Sequence, residues 1–308
     1  MEIDAKRPVP SRAIAPHNGP QLADVRALDG GYCLHLEYFS GRRSLRIRRF
    51  HAMFLHFRHP THGEAVIDTG YSPRFFLATR GLPGYLYRVA TPVPRRQMSN
   101  ASQFFARRCI DPQNVKTVFL SHFHADHIGG VCDYPESRFV CDGEALDKLL
   151  SLSPYRRLTA GFLPALLPRD FSSRMEPLDP STFLPGGSLF AEGDALLSSF
   201  RVHDYWRDGS LLLVDLPGHA EGHIGFLLNT GAGRILYAAD AYWDIRVLRA
   251  GRKLPFLSRR IQHDWLAYLR TQENLRTLLD AVDRRKLPLR CYATHCSLMY
   301  NERWSDAR

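Results

Sequence analysis

Short apolar runs, several of them alternating with polar positions, recur along the chain between polar or glycine-containing turns. Successive side chains of a strand point to opposite faces of its sheet, so alternation is typical of a half-buried strand. The stretch Leu45-Arg46-Ile47-Arg48 shows this alternation. The pattern predicts strands over residues 32–38, 45–57, 64–68, 115–120, 138–141, 198–205, 211–216, 224–228, 234–239 and 289–293.

Three segments show helical signals instead. Residues 100–109 form one predicted helix, capped by Ser99 or Asn100, and residues 143–150 form a second, capped by Asp142. A longer amphipathic helix is predicted over residues 264–282, because its apolar residues recur at helical spacing. These residues are Trp265, Tyr268, Leu269, Leu275, Leu278, Leu279 and Val282.

Residues 152–190 differ from the rest because prolines interrupt them while apolar residues remain plentiful. We interpret this segment as an insertion. Ordinary packing over the core is one explanation for its apolar content. Long loops in compact domains are often functional, however, and the sharper hypothesis is a wall of a substrate pocket. Phe162 and Phe171 are its candidate substrate contacts.

Composition favours a single domain. The 308 residues are 44% apolar, and the candidate site residues described below are spread over most of the chain. Residues 1–20 are polar and proline-rich, without the apolar segment of a secretory signal, and predict a flexible tail before a domain over 21–308. No run of about 20 apolar residues occurs, so no membrane partner is expected.

The six cysteines include no C-x-x-C pair and suggest no disulfide framework. Reduced, buried thiols are typical of a cytoplasmic protein, which is the location we expect. Cys296 adjoins a candidate ligand, His295, but packing is the favoured role for its thiol.

The formal net charge of +10, from 41 basic and 31 acidic residues, permits attraction to anions. The basic residues occur as doublets scattered over the chain, which favours a generally arginine-rich surface over a dedicated nucleic-acid face. Nucleic acid is therefore not the expected partner.

The densest group of potential metal ligands lies in residues 122–127, where an H-x-H-x-D-H cluster follows the apolar run 118–120. Imidazole and carboxylate groups suit zinc, and imidazole also suits iron, nickel or copper. Further candidate ligands follow other apolar runs: His219, Asp240 and His295 downstream, and Asp68 upstream within Asp68-Thr69-Gly70.

These five motifs, in this order, resemble those of the metallo-β-lactamase superfamily. The resemblance implies a mixed α/β (α+β) fold, an αββα sandwich with a two-metal site at one edge of its sheets. His122, His124 and His219 would hold the first metal; Asp126, His127 and His295 would hold the second; Asp240 would bridge the two. Asp68 would support a ligand imidazole from behind. Zinc is the favoured metal, with Fe, Mn and Co as alternatives.

His223 completes a G-H-x-x-G-H pattern but is expected to be structural, and His51, His56, His59 and His62 are expected to have no metal role. The bridging position Asp240 is similar to that of lactonases, glyoxalase II, thioesterases and tRNA-processing nucleases. The N-acyl homoserine lactonases look nearest. They carry a Tyr three residues after the bridging Asp, where this chain has Trp243, with Tyr242 one residue earlier. Either side chain is a candidate substrate contact.

The resemblance implies a dinuclear metal-dependent hydrolase in which a metal-bridging hydroxide opens a lactone, carboxyl ester or thioester. Asp126 or Asp240 would pass the proton to the leaving group. The partner would be a small molecule with an apolar moiety, and a homodimer is allowed for. The alternatives are a phosphodiesterase or nuclease of the same fold and, less favoured, a non-catalytic binding protein.

Overall fold

A computed structural model describes residues 19–95, 105, 110–188 and 197–302. Two six-stranded sheets form its centre. The first sheet contains, in spatial order, β1 (Ala23–Leu36), β2 (Ile47–His59), β3 (Gly63–Ile67), β4 (Val115–Phe119), β5 (Arg138–Cys141) and β6 (Met175–Pro177). Strands β1 to β3 pair antiparallel, and β3 to β6 pair parallel.

The second sheet runs in the order β12-β11-β10-β9-β8-β7. Its strands are β7 (Leu184–Pro185), β8 (Arg201–Asp204), β9 (Leu211–Asp215), β10 (Ile224–Thr230), β11 (Gly233–Tyr237) and β12 (Leu289–Tyr292). Neighbours are antiparallel except β11 and β12, which are parallel. Strands β9, β11 and β12 therefore point the same way and end at one edge of the sheet.

Ten α-helices accompany the sheets within the described residues. They are α1 (Arg74–Ala78), α2 (Gly84–Ala90), α3 (Ala125–Ile128), α4 (Gly143–Ser151), α5 (Pro154–Thr159), α6 (Phe171–Arg174), α7 (Ile245–Arg249), α8 (Phe256–Arg260), α9 (Trp265–Arg285) and α10 (Ser297–Glu302). None of the helices in this part of the chain is long and apolar enough to cross a membrane.

The core has three layers of apolar contacts. Between the sheets lie side chains from both of them, including Phe57, Phe119 and Phe226. The outer face of the first sheet packs against residues of α1, α4 and α6, and that of the second sheet packs against α9. The result is an αββα sandwich, as the resemblance implied.

Strand and helix positions follow the sequence closely where buried runs are clear, as in β5 and α9. Asp264 caps α9 by accepting hydrogen bonds from the backbone N–H groups of Leu266 and Ala267, each at 2.9 Å. Asp142 caps α4 in the same way through Ala145. The cysteines of the described residues are free thiols.

The first strand begins nine residues earlier than predicted, at Ala23 instead of 32. The strand passes through Gly30 and Gly31 with a register shift between Asp29 and Tyr32. Glycine inside a strand often marks such a bulge. At Gly30 a side chain would meet backbone, because an added Cβ would lie 2.4 Å from the Cα of Gly70.

Three other expectations differ at their boundaries or fall largely outside the described residues. The strand predicted over 198–205 is shorter, Arg201–Asp204, and follows an irregular turn. Of the predicted helix 100–109 only Phe105 is described, and of the predicted tail 1–20 only residues 19 and 20 are described.

Candidate metal centre

The H-x-H-x-D-H cluster lies in the loop that leaves β4 and in the short helix α3. Because β3 and β4 are parallel, the residues that follow them, Asp68 and His122, meet at the same edge of the first sheet. His124 precedes α3, which places Asp126 and His127 on its single turn.

The second sheet supplies the remaining candidates at the same edge. His219 follows β9, Asp240 follows β11 and His295 follows β12, and these three strands run in the same direction. Backbone hydrogen bonds tie the sheets together here, since the N–H of Ile224 donates to the carbonyl of Ser121 at 3.0 Å.

The seven candidate donors converge as two adjacent groups. One group is His122, His124, His219 and Asp240; the other is Asp126, His127 and His295. Within each group the donor atoms lie within 4.8 Å of one another.

Asp240 lies between the two groups. One of its carboxylate oxygens is 3.3 Å from His219 Nε2 and 2.9 Å from His295 Nε2, and the other is 3.5 Å from His127 Nε2. Asp126, a member of the second group, has its Oδ2 3.3 Å from His295 Nε2. Asp240 thus contacts histidines of both groups.

Four of the imidazoles, those of His122, His127, His219 and His295, are held through Nδ1 so that Nε2 faces the site, whereas His124 directs its Nδ1 to His219 Nε2 at 3.1 Å. The Nδ1 of His219 donates to the side-chain oxygen of Gln262 at 2.9 Å, and that of His295 donates to the carbonyl of His51 at 2.9 Å. His122 Nδ1 lies 2.9 Å from Ser121 Oγ. Partners of this kind fix the tautomer and ring orientation of metal-binding histidines.

Three buried atoms facing this site make no hydrogen bond to any described residue: His122 Nε2, His127 Nε2 and Asp240 Oδ1. Buried polar atoms are nearly always satisfied, so such a set calls for a ligand. Nitrogen and carboxylate donors in two groups of four and three suit transition-metal ions of the zinc type. The residues therefore fit a pair of such ions.

Burial and neighbouring charges set the protonation of these groups. Burial, with the surrounding imidazoles, holds the pKa of His122 and His124 well below the usual value, so both are neutral, as metal binding requires. Burial lowers the pKa of His127, but Asp68, Asp126 and Asp240 outweigh it and raise that pKa well above normal.

The pKa of Asp240 itself is lowered well below normal. Burial opposes this shift, and the imidazoles of His295 and His127 overcome it. The carboxylate is consequently ionised.

Other histidines stand apart from the two groups. Both nitrogens of His223 are occupied by backbone, Nδ1 with the Leu216 carbonyl at 2.8 Å and Nε2 with the N–H of Asp240 at 3.1 Å. His56 pairs with Glu64, and His59 with Asp208. His51 stacks on Tyr300 and contributes only its carbonyl to the centre.

A cavity of about 740 Å³ opens onto the donors. His124, Asp126, His219, Asp240 and His295 form part of its wall. Most other lining residues are apolar or aromatic, among them Phe39, Phe50, Tyr71, Tyr87, Leu158 and Trp243.

Of the two predicted substrate contacts that follow Asp240, Trp243 lines the cavity and Tyr242 does not. The indole N–H of Trp243 donates to Asp240 at 3.3 Å. The phenol of Tyr242 is buried and donates to the Cys291 carbonyl at 3.0 Å.

Phe162 and Phe171, the predicted substrate contacts of the insertion, are not among the residues that line this cavity, and both rings are buried in the core on the outer side of the first sheet. Their apolar character could not distinguish core from cavity. The same segment does reach the cavity through Tyr155, Leu158 and Gly161.

Several supporting residues carried no sequence signal. Gln262 lies 43 residues from the histidine that it holds, in the turn between α8 and α9. Tyr237 is an ordinary strand aromatic in the sequence, yet its hydroxyl donates to Asp68 at 3.0 Å. Only Ser121 could have been suspected, because it adjoins the H-x-H-x-D-H cluster.

Comparison with known proteins defines the class. The profile of the metallo-beta-lactamase superfamily matches residues 57–282, and the chain belongs to this superfamily. The resemblance seen in the motifs is thereby confirmed.

Individual relatives are more distant. The chain is 26% identical to a probable metallo-hydrolase of Mycobacterium tuberculosis over 216 residues, which are 68% of this chain and 63% of that protein. It is 28% identical to the N-acyl homoserine lactonase AttM of Agrobacterium fabrum over 196 residues, 62% of this chain and 66% of AttM. The match thus spans slightly less than two thirds of these relatives.

Solved structures share the fold. A mutant of AiiA from B. thuringiensis, with N-decanoyl-L-homoserine bound at its active site, superposes with a TM-score of 0.66. That comparison covers 94% of this chain and 99% of the other, at 12% identity. AidC, a dizinc quorum-quenching lactonase, gives a TM-score of 0.60 at 15% identity, covering 91% of this chain and 90% of AidC.

Proposed function

We propose that this protein is a metal-dependent hydrolase that opens a lactone, carboxyl ester or thioester bearing an apolar moiety. The observation that carries the proposal is the position of the two donor groups in the wall of a largely apolar cavity. The hydrolases and lactonases among the relatives support it further.

Two divalent ions, with zinc favoured, would be held by the two donor groups, and Asp240 would contact both. When bound, such ions polarise a carbonyl and make hydroxide available near neutral pH. The chain's own residues set where this chemistry occurs. Asp240 is ionised, and the indole of Trp243 and the imidazoles around it fix its orientation.

Proton transfer falls to the carboxylates that line the cavity, Asp126 and Asp240. Hydrolysis of an ester or lactone releases an alkoxide, and that of a thioester releases a thiolate; the leaving group needs a proton as the carbonyl–heteroatom bond breaks. Either carboxylate would accept the proton that the attacking water releases and pass it to that leaving group. Trp243, next to Asp240, closes the apolar wall beside the reacting bond.

The character of the wall favours a carboxyl substrate over a phosphodiester. Among the described residues that line the cavity, Arg260 is the single Lys or Arg side chain, and it lies at the exposed rim. Phosphate contacts dominate the affinity of nucleic-acid enzymes, so a nuclease would be expected to line its path with several cations.

The test compares three substrates on protein loaded with zinc: a nitrophenyl ester, a long-chain lactone and bis-nitrophenyl phosphate. We expect turnover of the ester and the lactone, with little of the phosphodiester. Turnover of the phosphodiester alone, falling steeply with salt on RNA, would establish the nuclease alternative. Protein that binds no metal under any loading condition would point to a non-catalytic binding role.

A further inference from the structure

Three short segments surround the entrance to the cavity and form what we call the mouth surface: residues 80–95, 153–161 and 254–263. Each contributes residues to the cavity wall, through α2, α5 and α8 respectively. The mouth surface is unusually apolar for exposed residues. Eight of the fifteen exposed large apolar side chains in the described residues belong to it: Leu82, Tyr85, Leu86, Val89, Tyr155, Phe256, Leu257 and Ile261.

These side chains are well exposed. Leu82 and Phe256 are 73% and 68% exposed, and Val89 is 61% exposed. Single exposed apolar residues are ordinary, but a contiguous group marks a surface that binds something. Leu86, Tyr155, Leu257 and Ile261 also line the cavity, so the apolar wall continues outward onto this surface.

The charge of the mouth surface is entirely of one sign. Its 35 residues contain seven arginines and no aspartate or glutamate. With 31 acidic residues in 308, a stretch of this length would contain about three or four. The arginines are Arg80, Arg88, Arg95, Arg156, Arg157, Arg259 and Arg260.

Carboxylates elsewhere do not neutralise this charge. Among the described residues, none of the seven arginines forms an ion pair. Nearby acidic groups are already occupied: Glu221 pairs with Lys148 and His263, and Asp264 caps α9. The guanidinium of Arg88 instead packs over the ring of Tyr85 at 4.9 Å.

We propose that the mouth surface docks on an anionic phospholipid bilayer. Peripheral attachment of this kind combines apolar side chains that enter the acyl boundary with basic side chains that meet anionic headgroups. The sequence predicted no membrane partner because it has no spanning segment, and that argument does not address docking at the surface.

The charge and apolar character of the mouth surface also favour a bilayer over two other possible partners, a second copy of this chain and RNA. A second copy of the chain, docked symmetrically, would set the same arginines against each other without a compensating carboxylate. RNA would accept the arginines but would leave the exposed Leu, Val, Ile and Phe side chains facing phosphates and water. A bilayer satisfies both features at once.

One consequence rests on the proposed function. An apolar substrate dissolved in the membrane would enter the cavity directly from lipid, along the continuous wall of Leu86, Leu257 and Ile261. Docking itself does not depend on catalysis, so the two can fail separately.

The experiment measures co-sedimentation of the full chain with vesicles of phosphatidylcholine alone or mixed with phosphatidylglycerol. We expect binding to the mixed vesicles that weakens with salt. Val89→Asp combined with Phe256→Asp should lower this affinity by roughly tenfold or more, because both side chains are exposed and neither lines the cavity. Arg80→Glu combined with Arg156→Glu should lower it similarly.

Matched controls lie away from the mouth surface. Leu184→Asp removes an exposed apolar residue at the edge of the second sheet, and Lys116→Glu with Arg285→Glu makes the same change in net charge as the arginine pair. These variants should retain vesicle binding, and all variants should retain the melting temperature and the hydrolysis of a short soluble ester.

The results of these measurements distinguish a bilayer, RNA and a second copy of the chain as partners of the mouth surface. Absence of vesicle binding, or equal binding by the Val89/Phe256 variant, overturns the proposal. Retention on RNA without vesicle binding assigns the surface to nucleic acid, and a dimer that dissociates on Val89→Asp assigns it to a second copy. Vesicle binding by a protein that hydrolyses no ester would leave docking established and refute the proposed function instead.

Discussion

Asp68 shows how much of the centre depends on a residue that faces away from it. It is buried, and it accepts hydrogen bonds from the backbone and hydroxyl of Ser121, from His127 Nδ1 and from the hydroxyl of Tyr237, at 2.8–3.0 Å. Asp68 thereby joins the loop that carries the H-x-H-x-D-H cluster to the second sheet. Its φ of 63° is a conformation that few residues other than glycine adopt.

Asp68→Asn should therefore weaken metal binding by about 10–100-fold, the usual cost of losing such a supporting partner. The amide can still accept hydrogen bonds but no longer holds His127 by charge. A chelator competition measures the affinity. Asp208→Asn is the matched control, because Asp208 accepts from His59 outside the centre. Equal effects of the two substitutions would show that Asp68 acts only on stability.

Trp243 and Tyr242 provide a second residue-level test. Trp243→Phe removes the hydrogen bond to Asp240 and should lower kcat several-fold while leaving metal content unchanged. Tyr242→Phe removes a hydrogen bond to a core carbonyl and should lower the free energy of unfolding by about 1 kcal/mol, with little effect on kcat. The reverse pattern would assign the substrate contact to Tyr242.

The candidate donors could be predicted from the sequence because each follows a short apolar run, and parallel strands deliver such residues to one edge. The partners behind them could not. Gln262 and the carbonyl of His51 reach the centre through tertiary packing, which leaves no periodic pattern in the sequence.

At the level of elements, α5 acts on the centre through Gly161, which follows the C-cap residue of this helix. Gly161 has φ 69°, and a Cβ added there would lie 2.5 Å from Cδ2 of His124. Its carbonyl accepts the N–H of Ala125, the first residue of α3, at 3.1 Å. The insertion over residues 152–190 thus contacts the loop that carries the H-x-H-x-D-H cluster, and it also contributes to the cavity wall.

Gly161→Ala should accordingly displace His124 and lower metal occupancy and activity by an order of magnitude or more. Gly63→Ala is the control, because Gly63 also has a positive φ, 78°, but an added Cβ would meet nothing within 4 Å. Both variants should lose about 1 kcal/mol of stability from backbone strain. Metal occupancy, measured by elemental analysis, should fall only in the first, and normal occupancy in Gly161→Ala would contradict the steric argument.

Short elements explain most of what the sequence missed. Helices α1, α2, α7 and α8 span five to seven residues, too few for a helical period to be recognised. Long or capped helices were recognised, as α9 shows. Because α2 and α8 carry much of the mouth surface, the sequence alone could not assemble that surface.

At the scale of the whole molecule, each donor group draws on both sheets. Purified protein should hold about two transition-metal ions per chain, as a two-metal site requires. His124→Ala should lower occupancy at one position, and Asp240→Ala at both, because its carboxylate lies between the groups. Elemental analysis after reconstitution measures this. Two ions and ordinary activity in Asp240→Ala would refute a bridging role.

Because each donor group combines residues from both sheets, we expect the spacing of the two sheets to affect which metal ion the site prefers. Phe226 packs on Phe119 between the sheets with ring centroids 5.9 Å apart, and neither is a candidate ligand. Phe226→Leu should bring the sheets closer and shift competition between zinc and manganese towards zinc, whose bonds to nitrogen are short, about 2.0–2.1 Å. Phe139→Leu changes an equally buried ring that packs on the outer face of the first sheet, and it should leave that preference unchanged. Selection for a different metal could then act on core volume, with every ligand left in place.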